Sequence, residues 1–591
     1  MVEANTINLR ETTQYELPLL KTIKNDSYDV YPTHKIADNL INIGFDSLAK
    51  SLCSHKQIKI DGYVGIVFNE IKAKLSESFQ KINVKTHWIN IEEALKEESV
   101  IDYMIAPFLG GNDPVFGKIT SLSITDFFDS NKLNNLIEER SNSITIYYGI
   151  GSSLLPLKSA ITVYFEVSKN EIQFRSRAGS IKNLGATKPN DPKMMYKRFY
   201  FVDWIVLNKH KNNIKNHIDF LVDGQRIKDI SWIEGDHWRN GIKNLLKSPI
   251  RVRPWFEPGV WGGQWIKDKI KGLQEEVVNY AWSFELILPE NGVIMESSKV
   301  MLEFSFDFIM FISGESVLGK DYNTYGYEFP IRFDFLDTFD GDNLSIQCHP
   351  QLSYMKENFG EQITQEETYY ILDKQGESVV YLGFQEGVKP KEFENALFKS
   401  IEEKKEVNIT KYVQSFKANK HDLFLIPPGT IHSAGKDNLV LEISSTPYIF
   451  TFKLYDWLRP DLEGNPRPLN LDRGMDNLIF EYSGKQIEEK FISKPRLIES
   501  NSDFDFYHLP THEKHLYDVH RYTLNTDVKI EMNGKAHVLS LVEGDKIEVI
   551  AQSKSTIYNY AESILIPASV EEYIIKNLSQ NPIMFVKAFI K

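Results

Sequence analysis

The chain has 591 residues, 42% apolar and 25% charged, a net charge of −13 and only two cysteines, Cys53 and Cys348. At about 150 residues per domain this gives room for roughly four structural units of ordinary globular composition. The acidic balance argues against nucleic acid or an anionic membrane as a partner, two distant cysteines exclude a disulfide framework, and no apolar run reaches the roughly 18–20 residues of a membrane helix.

The first ten residues have neither the basic start nor the apolar stretch of a secretory signal, so a cytoplasmic protein is expected. Residues 38–51 and 64–79 carry apolar side chains at helical spacing. Residues 58–60, 86–89, 144–148, 162–165 and 199–202 read as short strands, and strands alternating with helices predict an α/β layer for residues 1–247. From about Arg251 the chain becomes strand-rich. Residues 300–312, 344–348, 368–371, 379–382, 422–425, 439–443 and 448–454 are short apolar runs parted by turn residues, the sign of a β-sandwich or barrel. A loop-rich stretch with Pro460, Pro466 and Pro468 follows, and then 538–541, 546–549, 563–567 and 583–590 repeat the strand style. The expected division is 1–247, 248–490 and 491–591.

Chemistry concentrates in the middle unit. In a strand of period two, Ser345, Gln347 and His349 share one face, while Ile346 and Cys348 take the other. Glu367 opens an aromatic strand, and Pro427-Pro428-Gly429 makes a tight turn that presents His432. Two imidazoles, one carboxylate and one amide oxygen form a ligand set suited to zinc or another borderline divalent ion. With no thiolate in the set, a catalytic site is favoured over a structural one. The competing reading of each His alone is a hydrogen-bonded core residue; the order and strand setting of the three motifs favour the site.

These motifs resemble the class I mannose-6-phosphate isomerases, zinc-dependent enzymes of the cupin (double-stranded β-helix, jelly-roll) superfamily. The likeness runs over residues 250–475. It rests on Val260-Trp261-Gly262-Gly263, Phe329-Pro330-Ile331, the strand ending in Gln347-Cys348-His349-Pro350, Glu367-Thr368-Tyr369-Tyr370, Pro427-Pro428-Gly429-Thr430-Ile431-His432 and Thr451-Phe452-Lys453-Leu454-Tyr455-Asp456-Trp457. It implies one zinc per chain on Gln347, His349, Glu367 and His432, Ser345 near a substrate phosphate, and interconversion of mannose 6-phosphate and fructose 6-phosphate. Two positions depart from the family: Gln365 stands where short bacterial members carry Lys, and Lys453 where the family carries an active-site Arg. Lys453 keeps the charge and loses the bidentate fork; Arg459 is a second candidate for that role. A zinc ion can polarise the sugar carbonyl, and a general base must move the proton between C1 and C2. A metal-bound water, Lys453, Glu285 and Glu366 are the candidates for it, with Lys453 and Arg459 neutralising the phosphate and oxyanion.

Residues 30–240 resemble, more faintly, the uridine-kinase-like P-loop proteins, through Asp61-Gly62-Tyr63-Val64-Gly65, Gly149-Ile150-Gly151-Ser152-Ser153 and Val202-Asp203-Trp204. Ile66-Val67-Phe68 replaces the Gly-Lys-Ser/Thr of a working phosphate loop, so a degenerate domain without nucleotide hydrolysis is expected. The tail resembles the small, metal-free cupin-like β-domain that closes many such isomerases, and His508, His512, His515 and His520 are expected not to converge. The expected partner is a small sugar phosphate, with homo-oligomers permitted. The alternative is a non-catalytic cupin that senses sugar phosphate, with Gln365 and Lys453 marking lost chemistry. A kinase is disfavoured by the missing phosphate loop, and an iron dioxygenase by Gln347.

Overall fold

The computed structural model describes residues 8–22, 27–138, 142–288, 290–462, 464–552 and 554–591. Its N-terminal part is a seven-stranded sheet. Five strands, Gln57–Gly62, Thr86–Asn90, Ile144–Tyr148, Ile161–Glu166 and Phe220–Asp223, run parallel in the spatial order second, third, first, fourth, fifth. Ser231–Glu234 and Ile41–Ile43 extend the sheet antiparallel at the fifth-strand edge. Helices cover the faces, so the strands are buried on both sides and read in sequence as continuous apolar runs; all five residues of Ile144–Tyr148 are buried.

Three expectations shift here. Within 38–51, residues Ile41–Ile43 pair as a strand, and Gly44, at φ +85°, turns the chain into a shorter helix, Phe45–Leu52. The next helix is Phe68–Lys81, since residues 63–67 form the loop after the first strand. Residues 199–202 are not a strand. They form a π-helical turn, Phe199–Asp203, between the helices Pro192–Arg198 and Trp204–Ile214. Asp203 is fully buried there and accepts hydrogen bonds from Asn183 Nδ2 at 2.7 Å and the Leu184 amide at 3.2 Å. A short apolar run buried on all sides has no period to tell helix from strand.

The remainder is mostly β. A six-stranded sheet contains Trp282–Leu286, Ile331–Asp337, Asn438–Ser445, Glu366–Lys374 and Leu423–Ile426; a five-stranded sheet contains Val379–Phe384, His432–Ala434, Ile346–Cys348 and Phe452–Tyr455. They face each other across a core of Leu336, Tyr369, Ile371, Val380, Leu382 and Val440. The expected strand 300–312 divides: Val300–Ser305 is a strand, and Asp307–Leu318 is a helix whose first residue pairs with Lys169 at 2.9 Å. In the tail, a six-stranded and a four-stranded antiparallel sheet enclose a separate core that includes Leu524, Val549, Ile575 and Phe585.

The parts are not loosely strung. The early strand Thr33–Lys35 pairs in parallel with Gly292–Ser297. Phe116 of the α/β part, 1% exposed, meets Phe359, Phe450 and Phe452 at ring-centre distances of 5.4–5.8 Å. Tyr517 of the tail donates a 2.6 Å hydrogen bond to the Ile443 carbonyl. No helix among the described residues is long and apolar enough to cross a membrane.

Candidate metal centre

Strand alternation aims the ligand candidates inward from both sheets. Gln347 comes from Ile346–Cys348, His349 directly follows that strand, His432 starts the neighbouring strand, and Glu367 projects from the opposing sheet. Gln347 and His432 stand directly opposite each other in register. All four side chains are buried, His349 and His432 completely. Cys348 faces the other way, into a separate apolar cluster, and burial pushes its thiol up.

The hydrogen bonds fix how the imidazoles point. His349 Nδ1 lies 3.0 Å from the Phe450 carbonyl, and His432 Nδ1 lies 2.9 Å from the Thr430 carbonyl. A carbonyl only accepts, so each Nδ1 carries a proton, and the neutral tautomer this selects turns a bare Nε2 inward. Those Nε2 atoms stand 2.8 and 3.4 Å from the two Glu367 oxygens. Two lone pairs against a carboxylate repel unless a proton or a cation lies between them. His349 Nε2 and Glu367 Oε2 are buried without a hydrogen-bond partner. The donor set therefore fits a borderline divalent cation. Burial lowers His432, which favours its neutral ring. Gln347 turns Nε2 to His432 Nε2 at 3.3 Å and accepts from Ser345 Oγ at 3.0 Å. Rotating the amide by 180° offers its oxygen to the centre instead.

A closed circuit supports the triad. Gln365 Nε2 donates to Glu367 Oε1 at 2.6 Å, and Gln365 Oε1 accepts from the Phe450 amide at 2.8 Å. The Phe450 carbonyl then takes the His349 proton. Gln365 is thus a positioning group for both a carboxylate and an imidazole.

The centre opens into a cavity of ≈ 460 Å³. Ser345, Lys453, Asp334, Glu442, Arg332 and Arg467 line it, with the aromatic rings of Trp261, Trp282 and Phe284. Burial, with Arg467 nearby, pushes the Lys453 ammonium down to about 8. Burial and the neighbouring carboxylates raise Asp334 and Glu442 well above the carboxylate range; Glu442 also hydrogen-bonds Glu367. Asp334 and Glu442 face each other across paired strands. Inward alternation marks both once the strands are known, but nothing in the sequence distinguishes them from surface carboxylates.

Two proposed acid–base groups lie elsewhere. Glu285 is on the far face of its strand, where Trp282 and Phe284 face the cavity; it accepts from Tyr28 and Ser283 and lies 3.9 Å from Arg251. Glu366, one residue from Glu367, necessarily points away and accepts from the Leu516 amide of the tail. Arg459 is held by Asp456 at 2.7 Å and Asp342 at 3.2 Å and is not part of the cavity wall; Arg467, paired with Asp456, is. In the tail, His508, Asp518 and His520 do converge, contrary to expectation: His508 is opposite His520 on paired strands and lies 2.8 Å from Asp518. Lys587 stands directly across from His520 on the next strand, against a cation there.

In the α/β part, the loop after the first strand buries Tyr63 and Val64, and the Asp61 carboxylate pairs with His210 at 2.9 Å while accepting the Gly151 and Ser153 amides.

A domain of unknown function (DUF8485) matches residues 44–247. Mannose-6-phosphate isomerase ManA of Bacillus subtilis (strain 168) is 22% identical over 336 residues, spanning 57% of this chain and 98% of that protein. The probable mannose-6-phosphate isomerase GmuF of the same organism is 28% identical over 248 residues, covering 41% of this chain and 71% of its own length. The crystal structure of the Bacillus subtilis mannose 6-phosphate isomerase superposes with a TM-score of 0.47 at 19% identity, covering 58% of this chain and 99% of that one. The chain is therefore a distant homologue of mannose-6-phosphate isomerases over a little more than half its length.

Proposed function

We propose that this chain is a zinc-dependent aldose–ketose isomerase that interconverts mannose 6-phosphate and fructose 6-phosphate, with one zinc on Gln347, His349, Glu367 and His432. The observation that carries the reading is the pair of buried imidazoles, each locked by a backbone carbonyl, turning bare Nε2 atoms onto one carboxylate. The cavity beside them holds both cationic and proton-carrying groups. Zinc bound there would polarise the sugar carbonyl and favour the enediolate.

The protein's own groups account for the rest. Lys453 and Arg467 neutralise the phosphate through charge-assisted hydrogen bonds, with Ser345 beside them. Glu442, hydrogen-bonded to Glu367 and opposite Asp334, carries the proton between C1 and C2. Two carboxyls that share a proton can take one from the first carbon and return it to the second. Lys453, with its depressed ammonium, is the second group able to do so.

The α/β part is read as a P-loop-kinase-like layer without nucleotide hydrolysis. Its strand order supports this, and Ile66-Val67-Phe68 leaves no lysine or hydroxyl for a phosphate. A cytoplasmic location and a small sugar phosphate as the partner belong to the same proposal. Metal analysis together with a coupled isomerase assay tests it: one zinc per chain and turnover are expected, both lost in His349→Ala. If the protein binds zinc without turnover, and Gln365→Lys with Lys453→Arg restores turnover, the isomerase reading falls and the sensor reading replaces it.

A further inference from the structure

The cavity beside the metal centre is not closed by the β-sheets alone. Gln173 and Arg177, on the helix Lys169–Arg177, and Tyr196, on the helix Pro192–Arg198, also line it. All three belong to the α/β part, within the 44–247 match to a domain of unknown function.

Their helix is rigidly held. Arg175, fully buried, donates to the carbonyls of Gly65, Gly224 and Gln225 at 2.8–3.0 Å, and Lys169 pairs with Asp307. Arg177 forks onto the Glu257 carboxylate with two 3.1 Å contacts at the cavity rim. Gln173 Nε2 reaches Glu290 at 3.3 Å. Arg332 lies in the same wall, 6% exposed, with its Nη2 donating to the Pro447 carbonyl at 2.9 Å.

Lys453, Arg467, Arg332 and Arg177 are the cations of the cavity wall, and Arg177 is the one that comes from the α/β part. Between the walls, Trp255, Phe284 and Trp282 present stacked rings, with centres 4.6 and 6.3 Å apart. Flat apolar rings suit the C–H face of a sugar, and the amide and guanidinium N–H groups beside them can donate to its hydroxyls.

We propose that the α/β part supplies a sugar-binding subsite: Arg177 and Gln173, with Arg332, hold the hydroxyl-bearing end of a phosphorylated sugar whose phosphate rests on Lys453 and Arg467. This rests on the sugar-phosphate reading of the cavity, and the α/β part becomes a wall of the binding site. Arg177 is a substrate-positioning group, and Glu257 orients it.

The test is calorimetric titration of the full-length, zinc-loaded protein with mannose 6-phosphate and, separately, with inorganic phosphate. Arg177→Ala combined with Gln173→Ala should weaken mannose 6-phosphate by about tenfold or more, the worth of one charge-assisted hydrogen bond, while inorganic phosphate changes less than about twofold. Lys453→Met should weaken both ligands. Arg177→Lys, which keeps the charge at the rim, should fall between wild type and the double variant and guards against misfolding. If mannose 6-phosphate binds the double variant within about twofold of wild type, or wild type prefers it no more than inorganic phosphate, the subsite is overturned. Selective loss of sugar-phosphate binding in a protein that shows no turnover would sink the isomerase reading and keep the subsite.

Discussion

Gln365 bears on the metal centre without touching a metal. It joins Glu367, at 2.6 Å, to the Phe450 amide, at 2.8 Å, and the Phe450 carbonyl fixes the His349 proton. Gln365→Ala removes the donor to Glu367, while the Phe450 amide keeps its 3.0 Å bond to the Tyr448 carbonyl. The lost hydrogen bond to a buried carboxylate costs about 1–3 kcal/mol of stability. Loss of an outer partner of a ligand lowers metal affinity by about 10–100-fold, or roughly 1.4–2.7 kcal/mol. Gln365→Lys keeps a donor to Glu367, and its added charge opposes a cation. It should therefore bind zinc no better than the alanine variant. The assay is competition for zinc against a chromophoric chelator, with urea unfolding in chelator to separate stability from affinity. If Gln365→Ala binds zinc as tightly as wild type and loses no stability, the circuit does not hold the ligands and this reasoning fails.

Glu285→Gln should leave turnover per folded molecule unchanged while lowering stability by about 1–3 kcal/mol, because the carboxylate serves Tyr28, Ser283 and Arg251 away from the cavity; a drop in kcat alone would contradict this. Cys348→Ala should retain full zinc content and cost about 1 kcal/mol in a denaturant titration, since its side chain faces a separate core. The pH profile follows from Lys453, whose ammonium titrates at about 8. Its charge is complete below that pH and lost as pH rises through it, while the substrate phosphate becomes a dianion above about 6. KM should therefore be lowest between those limits and rise above pH 8, and Lys453→Arg should abolish the alkaline rise. Glu442→Gln should reduce kcat by about a hundredfold or more with little change in zinc content, measured by single-turnover kinetics.

Much of the centre was legible because strand alternation is a strict rule. Gln347 and His349 had to share a face and Cys348 had to oppose them, and they do. The same rule places Glu366 and Glu285 on the wrong faces, but Glu285 needs the strand Trp282–Leu286 to be known first. Arg459 and Arg467 lie in one loop-rich stretch, and only tertiary packing decides that Arg467 enters the cavity wall. Asp334 and Glu442 acquire their raised pKa from burial beside Glu367, a contact between strands distant in sequence. The π-helical turn at Phe199–Asp203 escaped because its apolar run is buried all round. His508 and His520 converge through a strand register that no local pattern announces.

Phe116 sits among rings from the other part of the chain, under the Arg473 guanidinium at 5.6 Å, and Arg473 itself grips Asp113. A seam built this way has no finished surface on either side. Excising the first 247 residues would bare Phe359, Phe450 and Phe452 to water, and Phe450 is the residue whose peptide groups orient His349 and Gln365. The stretch that is similar to the isomerases thus leans on the α/β part beside it to keep its own histidine in place.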